Sequence, residues 1–420
     1  MKLASVRGGE SERLVSFDDA LRIVLAEAAH VGQQPTETVS LGDSLGRMLA
    51  VSVVADRDHP PFDRSTRDGF AVRVTDVMAQ RWLSVVGQVQ AGRQWEGSPL
   101  AVGQAIEVMT GAPVPPGADA VVMLEHVERN DSAIRLHKDR RLAAGENIVP
   151  CGSEAHAGNE VLAAGTEMDA ATIALAAACG AAKVVVFVRP TVAIIATGDE
   201  LVDIEETPGP EQIRNSNSYG LAALVERAGG KAVREPIAQD RQEVIEERIR
   251  GARTANLLLL SGGVSMGEYD LVEPVLQSLG AEFFFTGVKM QPGKPAVFGR
   301  LPEREGMHAM YFFGLPGNPV STQVTFACFV EPLLRAMRGA PVEGPRFIQA
   351  TLSEEIPGKP GLTRVLPARL TSTRQRPEVK LVVWQGSGDM AANARANCYA
   401  VLPEGTTGFR ADDVVTVLLR

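Results

Sequence analysis

Leu257-Leu-Leu-Leu-Ser-Gly-Gly-Val-Ser-Met-Gly267 runs from four leucines straight into a glycine turn, and two comparable junctions follow before Thr325. They are Pro292-Gly-Lys-Pro295 and Gly314-Leu-Pro-Gly-Asn-Pro319. An uninterrupted apolar run of this length is what a strand buried on both faces requires, and such strands belong to parallel sheets covered by helices. Glycine at the turn lets backbone N–H groups approach a ligand closely, and a helix starting beyond adds partial positive charge. Asn318 and Pro319 make a good cap and first residue for such a helix. Three turns of this kind in one α/β segment point to an anion site, with Ser261, Gly262, Gly263, Pro292, Gly293, Pro316, Gly317 and Asn318 as backbone contributors. Lys294, with Lys289 close by, adds full positive charge. A unit pair at 4 Å is worth ~4 kcal/mol in a partly screened cleft and only ~1 in water, so burial decides its strength.

Outward from that stretch, strand and helix signals alternate from Thr191 to about Arg338. Val192–Ala196, Lys231–Ile237, Leu257–Leu260, Ala281–Val288 and Ala309–Leu315 read as strands. Helices are expected at Ser218–Ala228, Arg241–Ala252, Leu271–Leu279 and Pro319–Met337. This is the pattern of a doubly wound, mostly parallel sheet, in which ligands sit beyond the carboxyl ends of the strands. Thr197-Gly-Asp-Glu200, the Ser261 loop and the Gly314 loop fall there.

On the N-terminal side, Ser16 with Asp19 caps an amphipathic helix carrying Leu21, Val24, Leu25 and Ala28. Thr36–Leu41 reads as a strand, Gly42–Leu49 as a short helix and Val51–Ala55 as a strand. Pro60 to Val72 reads as a loop dense in Asp63, Arg64, Ser65, Thr66, Arg67 and Asp68. Short strands between glycine and proline turns follow at Trp82–Gln90, Ala105–Met109, Ala120–Val127 and Ile134–His137, with Thr110 opening a stiff proline-rich turn. Asp169 caps a helix ending at Gly180, and Lys183–Val188 is a strand. Beyond Pro345, five strand candidates at Phe347–Leu352, Arg364–Leu370, Val379–Trp384, Tyr399–Leu402 and Val414–Leu419 imply a small barrel or sandwich. The expected organisation is α/β multidomain. Residues 1–55 with 147–189 form an N-terminal linker domain, 56–146 an inserted β domain, 190–340 the central doubly wound domain, and 341–420 a C-terminal β-barrel domain.

The 420 residues carry a net charge of −9, with 45% apolar and 22% charged residues, an ordinary balance for several folded cores. The charge disfavours non-specific nucleic-acid binding and leaves no polybasic surface for a membrane. The first fifteen residues hold no signal-like apolar run, and no segment offers the ~18 apolar residues of a membrane span. Cys151, Cys179, Cys328 and Cys398 are widely separated and never form Cys-x-x-Cys, so neither zinc nor a disulfide framework is indicated. A reduced cytoplasm fits. The six histidines show no metal-ligand spacing. No Ser-His-Asp or Cys-His arrangement suggests itself, which argues against covalent catalysis.

Asp68, Glu200, Asp240 and Asp270 are carboxylates at or near loops. Beside an anion site they imply a bridging Mg²⁺, which takes one or two carboxylates plus phosphate oxygens. Glu200 is the stronger metal or acid/base candidate, because Asp240 with Glu243 and Asp270 with Glu273 also have capping-box spacing.

Thr197-Gly-Asp-Glu-Leu201, Asn215-Ser-Asn217, the Ser261 loop, Pro292-Gly-Lys-Pro295 and Leu315-Pro-Gly-Asn-Pro319 resemble the molybdopterin molybdenumtransferases, including the gephyrin E domain. Phe62-Asp-Arg-Ser-Thr-Arg-Asp-Gly69 and Thr110-Gly-Ala-Pro113 resemble earlier motifs of the same family, so the likeness spans nearly the whole chain. It implies an L-shaped homodimer of four-domain subunits, the active site lying between the third domain of one subunit and the first two of the other. It also implies adenylylated molybdopterin and molybdate as substrates, Mg²⁺-dependent hydrolysis and release of AMP with the finished cofactor. The adenylyltransferase of the same pathway and molybdoenzymes would be its protein partners. By motif match Asp68, Thr110, Glu200, Asp240, Asp270, Lys294, Arg364 and Ser387 line the site, with Glu200, Asp240 and Asp270 on the metal. The chain departs from the family at Arg64-Ser-Thr-Arg67 and at Gln291, where a lysine is common; Lys289 is the expected substitute. A non-catalytic pterin-binding scaffold and a tungstate-preferring relative are the competing readings.

Overall fold

In the computed structural model, which describes residues 14–32, 34–263, 271–304, 308–372 and 376–420, four parallel strands stand where the apolar runs predict them. The sheet order is Lys231–Arg234, Thr191–Ala196, Leu257–Ser261, Met310–Leu315, Val297–Leu301, Glu282–Phe285. The first four are parallel, and Val297–Leu301 runs antiparallel to Met310–Leu315. That antiparallel strand is absent from the sequence reading, where Gly299 and the preceding prolines mask its pattern. Val192 to Ala196 and all of Leu257–Ser261 are buried.

Helices cover both faces. On one side lie Ser216–Arg227 and the run from Pro319 to Met337, joined in one core with Phe17, Ala20 and Val24 of the helix Phe17–Ala28. On the other, Gln242–Gly251 and Val272–Ser278 pack over Ala193, Ile195, Leu258 and Leu260. The strand's alternation therefore feeds two separate cores. The expected capping role of Ser16 is present: its Oγ accepts from the Asp19 N–H at 3.1 Å.

Five strands near the C-terminus, Phe347–Leu352, Thr363–Thr371, Glu378–Leu381, Cys398–Leu402 and Val414–Leu419, close on themselves around a core of their own. Met290–Gln291 adds to this barrel as a short parallel neighbour of Thr363–Arg364. The α/β domain, the barrel and residues 14–37 and 46–50 lie in one compact unit, and residues 38–45 with 51–185 form a second.

The second unit is built on a six-stranded sheet in the order Ala120–Met123, Gly69–Val72, Gln104–Val108, Leu83–Val89, Ala133–Leu136, Val127–Asn130. Two expectations are corrected here. Pro60–Val72 is not loop throughout: Gly69–Val72 is a fully buried interior strand, with Phe70 and Val72 in one core and Ala71 in the other. Gly42–Leu49 forms only the tail of a 3₁₀ turn at Leu41–Asp43, capped by Ser40. The helix capped by Asp169 is present over Ala170–Ala178, with Thr172 completing a capping box.

Candidate functional site

Parallel strands deliver their carboxyl ends to one edge, and the register Ala196↔Ser261↔Leu315 brings three loops side by side. The Thr197 N–H donates to the Ser261 carbonyl at 3.0 Å, and the Gly262 N–H to Leu315 at 3.2 Å. The middle loop is held so close that a Cβ on Gly262, at φ +92°, would lie 2.5 Å from the Thr197 carbonyl oxygen. Gly198 is needed for its backbone, at φ +147°, and a Cβ there would also push aside the Glu200 carboxylate, which lies 2.4 Å from that position. Glycine is thus needed for close approach as well as turning.

Asn217 ties these loops together. Its Nδ2 donates to the Ser261 Oγ at 3.0 Å and to the Gly317 carbonyl at 2.7 Å. Asn217 stands in the Asn215-Ser-Asn217 motif but is not among the expected site residues; its place in the first turn after the cap Asn215, beside the strand ends, is the signal that could have found it. The loops floor a cleft of about 850 Å³ that also takes in Glu200, Asp240, Pro295 and Asn318. Pro208, Gln212 and Arg214 wall one side, where Arg214 Nε donates to the carbonyls of Ile204 and Glu206. Gly388 and Met390 of the barrel close the other.

The helix beginning at Pro319 offers fewer free donors than its sequence implies. Pro319 has no N–H. The next N–H, of Val320, is taken by the Ser387 carbonyl at 3.0 Å. Ser387 therefore anchors the barrel segment to the helix start through its backbone.

Glu200 and Asp240 both line the cleft, and the Asp240 N–H donates to Asp199 Oδ1 at 3.1 Å. Burial pushes the Asp240 carboxyl above its ordinary range; the charges of Asp199 and Glu200 push the same way, against a backbone hydrogen bond from Asp199. The expected capping role of Asp240 is not seen: the helix Gln242–Gly251 has Arg241 at its cap, with no side-chain bond. Asp270 and residues 264–267 of the Ser261 loop lie outside the described residues. Among the described residues no three His, Cys, Asp or Glu side chains are grouped to hold a metal.

Of the remaining candidates, Pro292 and Gly293 are buried in the turn that ends at Pro295, and Lys294 is exposed. Lys289 is held by its backbone, donating to Val15 and accepting from Thr363. Arg364 lies on the barrel strand opposite Gln291. Asp68 and Thr110 belong to the second unit and are brought together there: Asp68 Oδ1 accepts from the Thr110 N–H at 2.7 Å and from its hydroxyl at 3.1 Å.

Residues 15–180 match the MoeA N-terminal region (domain I and II), 193–336 a probable molybdopterin binding domain, and 349–419 the MoeA C-terminal region (domain IV). The chain is 33% identical over 416 residues to a molybdopterin molybdenumtransferase of Staphylococcus epidermidis, covering 98% of this chain and 96% of the relative. To that of a Nostoc species it is 36% identical over 394 residues, covering 92% and 89%. A crystal structure of the molybdopterin biosynthesis moeA protein from Pyrococcus horikoshii superposes with a TM-score of 0.81 at 30% identity, over 97% of this chain and all of that one.

Proposed function

The chain belongs to the molybdopterin molybdenumtransferases, enzymes that insert molybdenum into molybdopterin, and from that premise we propose that it acts on adenylylated molybdopterin with Mg²⁺-dependent release of AMP. The observation that carries this reading is the meeting, in one cleft, of three backbone loops with Glu200 and Asp240. The loops at Ser261 and Gly317 present close-packed main chain to the substrate, and Asn217 keeps them in register.

The carboxylates fit a divalent cation. Burial, and after it the charges of Asp199 and Glu200, raise the Asp240 carboxyl, and a cation beside it would favour its charged form. Glu200 and Asp240 would hold Mg²⁺, with substrate oxygens completing its shell, as that ion prefers. When bound, it supplies charge neutralisation at the phosphate. Glu200, exposed at the strand end, would with its second carboxylate oxygen orient a water for attack on the AMP phosphorus and take up its proton. The P–O bond to the pterin phosphate then breaks, and AMP leaves with the water oxygen.

We propose further that the working form is a homodimer in which the partner supplies Asp68 and Thr110. Among the described residues no helix is long and apolar enough to cross a membrane. Incubation with adenylylated molybdopterin, molybdate and Mg²⁺ tests the reading: AMP release that exceeds a Glu200→Ala control supports it, and its absence refutes it.

A further inference from the structure

Arg369 and Lys380 stand directly opposite each other on the antiparallel barrel strands Thr363–Thr371 and Glu378–Leu381. Opposed residues share a face, and because their neighbours Ala368 and Val379 are buried, this pair points outward. Like charges in that position repel each other and weaken the strand pairing. A third cation joins them. The short helix Met390–Arg395 ends beside the first strand, where Arg369 Nη1 reaches the Arg395 carbonyl at a long 3.5 Å. The three cations line a groove of about 480 Å³, to which Ser353 and Thr371 add hydroxyls and Leu381 and Val382 an apolar strip.

The nearby carboxylates leave these charges largely unmet. Lys380 lies 3.7 Å from Glu354, but the two side chains are 65% and 41% exposed, and water and salt screen such a pair. Asp389 feels the charge of Arg395, yet its oxygens accept the N–H groups of Ala392 at 2.9 Å and Gln385 at 3.1 Å. Neither Arg369 nor Arg395 forms an ion pair among the described residues. A solvated face gains nothing from setting two cations in register, least of all in a chain of net charge −9, whereas an anion between them turns repulsion into attraction. The volume falls within the ~300–1,000 Å³ of small-molecule sites, which pair an apolar surface with a few polar groups. Barrel residues alone build the groove, and it shares no lining residue with the Glu200 cleft, so it is independent of the reaction proposed above.

We propose that this groove is a second ligand site, taking a phosphorylated small molecule whose phosphate rests on Arg369, Lys380 and Arg395 and whose apolar ring lies on Leu381 and Val382. Lys380 can turn from Glu354 to the ligand, because both side chains are free to move in solvent.

Titration of the full chain at low salt with naphthyl phosphate, inorganic phosphate and naphthol tests this. Arg369→Gln removes one of the opposed charges, so it is expected to melt with the wild type or slightly above it in the absence of ligand. It should bind naphthyl phosphate about tenfold more weakly, and Arg369→Lys should keep most of the affinity. Arg395→Gln, on a separate element, should weaken binding in the same way. The loss belongs to the groove, because these variants leave every residue of the cleft in place. The gap between wild type and variants should narrow at high ionic strength. Equal affinity of the wild type and both glutamine variants for naphthyl phosphate overturns the proposal. Inorganic phosphate bound as tightly as naphthyl phosphate overturns the place given to Leu381 and Val382.

Discussion

Asp240 shows what a single residue's surroundings add to its identity. Its carboxyl is raised by burial and by Asp199 and Glu200. A raised carboxyl favours the protonated form in the folded state, so its contribution to stability is present below the ordinary value of 3.8 and lost as pH rises through the higher folded value. Asp240→Asn is therefore expected to melt with the wild type below that pH and slightly above it at neutral pH. Mg²⁺ should raise the melting temperature of the wild type and not of the variant. A variant less stable than the wild type at neutral pH, with an unchanged Mg²⁺ response, contradicts the cation-site reading. Glu200 was legible in the sequence because it follows a strand and Thr197-Gly-Asp199 and, unlike Asp240, has no glutamate three residues on to give it capping-box spacing. Its crowding with Asp240 was not, since forty residues and a complete strand–helix unit separate them. Asp68 and Thr110 met in the same way, through the pairing of Gly69 with Val108.

At the scale of elements, periodicity reported existence better than internal form. Pro319 to Met337 reads as one helix, yet its middle, Phe326–Val330, is a wider π turn between Pro319–Thr325 and Glu331–Met337. All five of those residues are buried, so no polar face betrays the shift in register. Phe329 packs against Phe17 and Phe285, with ring centroids 5.6 and 6.0 Å away. Phe329→Ala is expected to cost about 3–5 kcal/mol in denaturant unfolding. A loss under 1 kcal/mol would mean that this core is not cooperative with the sheet. Asp169→Ala, which removes a capping box, is expected to cost about 1 kcal/mol, with Asp169→Asn retaining most of it. Gly69–Val72 escaped notice for the opposite reason. A four-residue strand buried on both faces shows no alternation, and its polar approach resembled a turn.

Across the whole molecule, changes of texture marked where β-rich segments give way to alternating strands and helices and back again. What one sequence does not reveal is non-local attachment. Met290–Gln291 joins the barrel although it belongs to the α/β segment, and the helix Phe17–Ala28 shares a core with the run beyond Pro319. The proposed dimer is tested at this scale by mixing. Asp68→Ala and Glu200→Ala subunits, each inactive alone, should regain AMP release when refolded together, because a hybrid pairs one intact Glu200 cleft with one intact Asp68. No recovery in a mixture shown to contain hybrids excludes the shared site. The most direct measurement remains AMP release from adenylylated molybdopterin with molybdate and Mg²⁺ present. The account predicts turnover by the wild type and none above background for Glu200→Ala or Asp240→Ala. Substrate binding without turnover in the wild type, or release by either variant equal to that of the wild type, would contradict it.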